Sequence, residues 1–80
     1  MRISCLFFAA YRDVFEAEQI EFELPEGSTL GELIEDVRAR AGTAALPRQL
    51  VAAVNREYAP TETVLHNGDE VAFIPPVAGG

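Results

Sequence analysis

The sequence predicts an α+β fold in which one main helix packs across one face of a β-sheet. Several short segments alternate between apolar and polar residues as strands do, and one longer segment carries apolar residues at helical spacing. A single helix cannot cover both sides of a sheet, so we expect it on one side. The 80 residues suffice for one domain. We therefore expect a single domain over 1–80, of which 75–80 form an extended C-terminal tail.

The strand predictions depend on alternation and on short apolar runs. In the second strand segment, Ile20, Phe22 and Leu24 point to one side and the glutamates between them to the other. The first strand has apolar residues on both faces, which indicates a position inside the sheet rather than at its edge. Residues 9–18 form a connection whose conformation the pattern does not define. The predicted strands are 2–8, 19–24, 50–54, 58–59 and 70–74.

One segment has the signals of a helix at both of its ends. Thr29 and Glu32 have the spacing of a capping box, in which a hydroxyl and a carboxylate each bond the other residue's backbone amide. Acidic residues then lie near the start and arginines near the end, as the helix dipole favours. Gly42 is a natural stop. The sequence thus predicts a helix between Thr29 and Gly42, whose buried stripe consists of Leu30, Leu33, Ile34 and Val37.

The charge balance argues against two classes of partner. Six basic and thirteen acidic residues give a formal net charge of −7. Nucleic-acid-binding proteins need a clustered basic surface, and anionic membranes also attract basic segments, so we expect neither partner. A basic protein surface suits this chain better. Cys5 is the only cysteine, which excludes an internal disulfide, and no charged leader or long apolar segment is present, so we expect a cytoplasmic location.

Catalytic chemistry within the domain has little support in the sequence. His66, the only histidine, sits beside a predicted turn and is expected at the surface. Cys5 lies in the middle of an apolar strand, where a thiol is buried and inert. No spacing of histidines and cysteines suggests a metal site. An enzyme acting alone is therefore disfavoured, and an acidic binding module without chemistry remains an alternative.

The last six residues differ in composition from the rest of the chain. Two prolines predict that the segment 75–80 leaves the last strand as a stiff, extended spacer. Two glycines then carry the terminal carboxylate, and without side chains they allow close approach to another surface. Such a segment suits insertion into another protein's active site. The alternative is a frayed chain end.

Three blocks of the sequence together resemble one protein family. They are Leu6-Phe7-Phe8-Ala9 with Arg12, the block 50–55, and the block 68–80 with its Gly-Asp-Glu-Val and Pro-Pro-Val-x-Gly-Gly motifs. They resemble the MoaD family of ubiquitin-like sulfur carriers, the small subunits of molybdopterin synthase, and the similarity spans essentially the whole chain. The resemblance implies a ubiquitin-like β-grasp fold with a mixed sheet, in which the first and last strands are parallel neighbours. It also implies a role in molybdenum cofactor biosynthesis.

The resemblance also implies a chemical role for the tail. An adenylating activating enzyme (MoeB-like) uses ATP to convert the carboxylate of Gly80 to an acyl-adenylate, and a sulfur donor then yields a thiocarboxylate. The large synthase subunit (MoaE-like) receives the tail, with Gly79 and Gly80 in a narrow channel, and the sulfur passes to a cyclic pterin precursor. The small subunit is expected to bind no cofactor and no metal itself, because ATP is used by the activating enzyme.

The body of the domain is then expected to be a docking surface. By strand parity Phe8 and Ile74 share a sheet face. The family resemblance, at the position that follows Asn55, implies that Tyr58 joins them. The alternative for these three residues is burial in the core. Arg12 is expected either to pair with an acidic group of the activating enzyme or to be an ordinary surface arginine. The tail residues expected to contact the partner are Pro75, Pro76, Val77 and Ala78.

Two other functions would use the same chain end. A sulfur carrier of the thiamine pathway has the same fold, tail and activation, although such proteins usually lack the Pro-Pro-Val motif. A ubiquitin-like modifier would instead form an isopeptide bond between Gly80 and a lysine of another protein. Carrier and modifier both begin from the same acyl-adenylate, so the sequence does not separate them.

Overall fold

The computed structural model describes residues 1–42, 46–47 and 49–75, and these contain a five-stranded sheet and two helices. The strand order across the sheet is β2-β1-β5-β3-β4. The first and last strands in the chain are parallel neighbours, and the other adjacent pairs are antiparallel, so the predicted mixed sheet is confirmed. The strands are β1 (Arg2–Phe7), β2 (Gln19–Glu23), β3 (Val51–Val54), β4 (Glu57–Tyr58) and β5 (Glu70–Ile74), and the helices are α1 (Ala10–Phe15) and α2 (Leu30–Ala41).

The hydrophobic core lies between α2 and one face of the sheet. The alternating positions of β1 and β5 point into it, so Phe7 and Phe73 are both almost fully buried. The ring of Phe7 stacks on that of Phe15, with 4.0 Å between centroids, and on that of Phe73, with 5.7 Å. The predicted stripe of α2 is buried as expected. The remaining core side chains include Ile3, Cys5, Phe22, Leu24, Leu65 and Val71.

The structure departs from the sequence prediction mainly between β1 and β2. The connection contains a six-residue helix, α1, which packs on the core through Tyr11 and Phe15. A segment this short has too few turns for helical periodicity to be recognised. The first strand ends at Phe7 rather than Phe8, because the backbone reverses at Ala9, where φ is +50°. The other strand boundaries differ from the prediction by no more than one residue.

The start of α2 confirms the predicted capping box. The backbone amide of Glu32 donates to Thr29 Oγ1 at 3.3 Å, and the backbone amide of Thr29 donates to Glu32 Oε1 at 3.0 Å. Two amides that the helix leaves unpaired at its start are thus satisfied by side chains. These contacts lie within four consecutive residues, which explains why they can be predicted from sequence.

Thr29→Ala is expected to lower the free energy of unfolding by about 1 kcal/mol, because it removes the cap. For a domain of this size the melting temperature should fall by about 4–8 °C. Thermal unfolding followed by circular dichroism measures this change. An unchanged melting temperature would contradict this account of the helix start.

The thiol of Cys5 is fully buried in β1, as the sequence predicts. Burial raises its pKa from 9.0 to about 12, because the thiolate would be desolvated there. The Cys5 thiol of the folded protein therefore keeps its proton over a pH range in which that of the unfolded chain loses it. The stabilising contribution of this group is complete below pH 9 and is lost as the pH rises from 9 to about 12.

Cys5→Ala tests this linkage. At pH 7 the variant should be less stable than wild type by about 1–2 kcal/mol, because the smaller side chain leaves space in the core. Above pH 9 the gap should narrow by up to about 1.4 kcal/mol per pH unit, since only the wild type has the thiol to ionise. Tyr11, whose pKa is also raised by burial, is present in both proteins and cancels. Denaturant unfolding at pH 7 and pH 10.5 measures the difference in the free energy of unfolding between the two proteins. A difference that is the same at both pH values would be inconsistent with the buried thiol.

Candidate functional site

The sheet face opposite α2 carries apolar side chains at one of its ends. Leu6 of β1 lies opposite Ala72 of β5, which lies opposite Ala53 of β3. Ala53 in turn lies opposite Tyr58 of β4. These residues form one row across four strands, and the row ends at the ring of Tyr58, which is 74% exposed.

A second apolar row lies beside the first, nearer to the end of β5. Ile74 is paired with Val51, and Phe8 follows Phe7, whose partner in the register is Phe73. By the alternation of side chains Phe8, Ile74 and Val51 therefore share the open face. Phe8 is 47% exposed and Val51 is 49% exposed, while Ile74 is half-buried. We call the two rows together the apolar patch, which consists of Leu6, Phe8, Val51, Ala53, Tyr58, Ala72 and Ile74.

For two of the three predicted docking residues the structure excludes burial in the core, whereas the docking role itself stays a prediction. Phe8 and Tyr58 are exposed, so burial in the core is wrong for both of them. The other four members of the patch, which are Leu6, Val51, Ala53 and Ala72, were not predicted from the sequence. Strand parity places Ala72 on the same face as Ile74, but only the pairing of β3 with β5 brings Val51 opposite Ile74.

The predicted tail begins at the edge of the apolar patch. β5 ends at Ile74, a patch residue, and the next residue, Pro75, is half-buried. The other predicted tail residues, 76–80, lie outside the described residues. Their roles in binding the partner and carrying the sulfur therefore remain predictions. The patch and the start of the tail are nevertheless contiguous, because they share β5.

Arg12 lies next to the apolar patch and already has a partner within the chain. Its Nη1 atom is 3.4 Å from Glu18 Oε1, and both side chains are more than half exposed. A surface pocket of about 300 Å³ lies beside this pair and is lined by Leu6, Phe8, Arg12 and Glu18, among others. An exposed pair of this kind contributes little to stability. Arg12 is therefore a surface arginine that a binding partner can reach.

Charged residues occupy the other corner of the open face. Arg2 of β1 lies 3.4 Å from Glu21 and 3.5 Å from Glu23, both on the outer strand β2. Charged side chains on an outer strand disfavour the addition of a further strand from another chain. The open face is thus apolar near the tail and charged at the β2 corner.

The turn before β5 is held by a network of side chains. Asn55 Nδ2 donates to Asp69 Oδ1 at 2.9 Å, and the backbone amide of Glu70 donates to Asn55 Oδ1 at 3.0 Å. Asp69 also accepts from the backbone amide of His66 at 2.8 Å. The network ties the β3–β4 turn to the start of β5 and so helps to fix the register of the strand that leads to the tail. Asn55 and the Gly-Asp-Glu motif, which the family resemblance singled out, meet here.

Within the described residues the domain offers little further chemistry. His66 is exposed and lies 4.0 Å from the carboxylate of Asp69. Among the residues of the described ranges, no group of three or more His, Cys, Asp or Glu side chains could hold a metal ion. A search of the same residues finds no helix of the length and hydropathy that a membrane span requires. The apolar patch and the strand leading to the tail are therefore the candidate functional site.

Comparison with protein families gives one match across nearly the whole chain. The ThiS family model matches residues 5–80. The chain is 39% identical to the molybdopterin synthase sulfur carrier subunit of Mycobacterium tuberculosis, over 100% of this chain and 99% of that protein. It is 35% identical to the protein of the same name from Chlamydomonas reinhardtii, with 100% of each covered.

Solved structures agree with the predicted ubiquitin-like β-grasp fold. SAMP1 from Haloferax volcanii superposes with a TM-score of 0.84 at 21% identity, and all of both chains is covered. A protein–protein complex of subunits 1 and 2 of the molybdopterin-converting factor from Helicobacter pylori contains a similar chain, with a TM-score of 0.72 at 23% identity and full coverage of both. The predicted β-grasp fold is confirmed.

Proposed function

Because this chain belongs to the ThiS family, we propose that it is the sulfur carrier subunit of a molybdopterin synthase. The observation that carries the proposal is the extent of the match. The family model reaches residue 80, and the relatives named as molybdopterin synthase sulfur carrier subunits align over the whole chain. The similarity therefore includes the Gly79-Gly80 end as well as the sheet.

The proposed chemistry takes place at the carboxylate of Gly80. A carboxylate is ionised at neutral pH and resists attack by a sulfur nucleophile. A carboxylate oxygen attacks the α-phosphorus of ATP, the bond to the β-phosphate breaks, and pyrophosphate leaves. Sulfur at the sulfide level then attacks the acyl carbon, the bond from that carbon to the bridging oxygen breaks, and AMP leaves with this oxygen. The product is a thiocarboxylate, whose sulfur is a nucleophile for the cyclic pterin precursor.

The proposal requires two protein partners in sequence. An activating enzyme catalyses the adenylation, using ATP in the cytoplasm, and a large subunit holds the pterin and receives the tail. The carrier itself supplies a docking face and the reactive carboxylate, but no metal or cofactor. Docking next to the tail makes sulfur transfer effectively intramolecular, which lowers its entropic cost. The apolar patch supports this role, because exposed apolar side chains beside a reactive end are typical of an interface.

Intact-mass measurement tests the proposed function directly. The chain is incubated with ATP, an activating enzyme and a sulfur donor, and the expected product is heavier by about sixteen mass units, because one oxygen is replaced by sulfur. Addition of the large subunit and the pterin precursor should return the mass to its starting value. Omission of ATP is the control. A chain that becomes attached to lysines of other proteins instead would overturn the carrier function in favour of a modifier.

A further inference from the structure

The backbone between β1 and α1 contains a conformation that is costly for the residue that adopts it. Ala9 has φ of 50° and ψ of −124°. These angles, with the hydrogen bond from the Tyr11 amide to the Phe8 carbonyl at 3.0 Å, describe a type II′ turn. The residue at this place in the turn is usually glycine, because a Cβ atom is strained there. A non-glycine residue in such a region costs on the order of 1–3 kcal/mol.

Within the described residues, neither the hydrogen bonds of the turn nor the hydrophobic core explains why this position carries a methyl group. The hydrogen bonds of the turn use backbone atoms: the Tyr11 amide donates to the Phe8 carbonyl, and the Asp13 amide donates to the Ala9 carbonyl at 3.4 Å. Glycine would keep both of them. The side chain of Ala9 is exposed and is not part of the hydrophobic core. The strain is therefore not offset by burial of the methyl group within the chain.

The position of Ala9 indicates which surface its methyl group can contact in a complex. It directly follows Phe8, a member of the apolar patch, at the end of the sheet where β5 leads to the tail. The pocket lined by Phe8 and Arg12 lies on the same connection. A partner that covers Phe8 while receiving the tail must pass close to this turn.

We infer that the methyl group of Ala9 is a contact of the docking face and is covered by the large subunit. This inference rests on the proposed function, which supplies that partner. The turn places Ala9 directly after Phe8 in the chain, and both residues are exposed. Burial of the methyl group in the complex offsets the backbone strain at Ala9, which nothing among the described residues offsets in the free domain.

Two replacements of Ala9 separate the methyl group from the backbone conformation. Ala9→Gly removes both the methyl group and the strain. Replacement by D-alanine, made by chemical synthesis, also relieves the strain, because the observed angles are unstrained for a D-residue. It keeps the turn rigid but directs the methyl group to the other side. Both proteins should melt at or above the wild-type temperature and bind the large subunit about fourfold more weakly, the effect of leaving about one methyl group unburied.

The matched control is Ala39→Gly on the exposed side of α2. Glycine within a helix should lower the melting temperature, while the affinity for the large subunit stays at the wild-type value. Native affinity of the Ala9→Gly protein would overturn the inference, and so would native affinity of the D-alanine protein, since stiffness alone would then suffice. If the wild-type chain itself does not bind the large subunit, the proposed function fails along with the inference.

Discussion

Deletion of Gly80 is expected to abolish sulfur transfer and to leave the domain folded. The last strand among the described residues ends at Ile74, six residues before the deleted one. Removal of one residue retracts the carboxylate by up to ~3.3–3.6 Å. Reacting atoms have to approach within ~3–3.5 Å, and a misplacement of ~1 Å can cost a hundredfold in rate. Single-turnover conversion of the pterin precursor by the reconstituted complex measures the loss, which should exceed about a hundredfold.

A deletion protein that already carries a thiocarboxylate shows which step the deletion impairs. The step is either activation of the carboxylate or delivery of the sulfur. A deletion protein that ends in a chemically installed thiocarboxylate at Gly79 bypasses the activating enzyme. We expect it to remain inactive, because its sulfur still falls short of the pterin. A chain extended by one alanine after Gly80 should also fail, since it adds length and a methyl group. Circular dichroism controls for folding, and conversion at the wild-type rate by the folded deletion protein would refute the role of Gly80.

Phe8→Ala is expected to weaken binding to the large subunit by about tenfold to a hundredfold, the range of an interface hot spot. The ring is 47% exposed in the free domain, so its loss should change the melting temperature little. Titration calorimetry with the large subunit measures the affinity, and thermal unfolding measures stability. A marked loss of stability together with native affinity in the folded fraction would assign Phe8 to the core instead.

Two valines of nearly equal exposure provide a matched pair for the same interface. Val51 is 49% exposed within the apolar patch, and Val64 is 48% exposed and bridges to Thr29 at the start of α2. Val51→Ala should weaken binding several-fold, whereas Val64→Ala should leave it unchanged, because the two substitutions remove the same atoms from different surfaces. An equal loss of affinity for the large subunit in both variants would show that the docking face extends beyond the apolar patch.

The parts of this protein that the sequence predicts correctly depend on contacts between near neighbours. The cap formed by Thr29 and Glu32, the buried stripe of α2 and the alternation of β5 all involve residues no more than four positions apart. Such contacts repeat with the period of the element itself, so they can be recognised without knowledge of the fold.

The apolar patch and the turn at Ala9 were decided only by the tertiary structure. Leu6 meets Ala72, and Val51 meets Ile74, because β5 is inserted between β1 and β3. Register between strands that are distant in sequence is determined by the packing of the whole sheet. The positive φ of Ala9 likewise has no local signal, since alanine ordinarily avoids it. The sequence by itself therefore determined α2 and the five strands, whereas α1 and the pairing of distant strands, which forms the surface beside the end of β5, were decided by the tertiary structure.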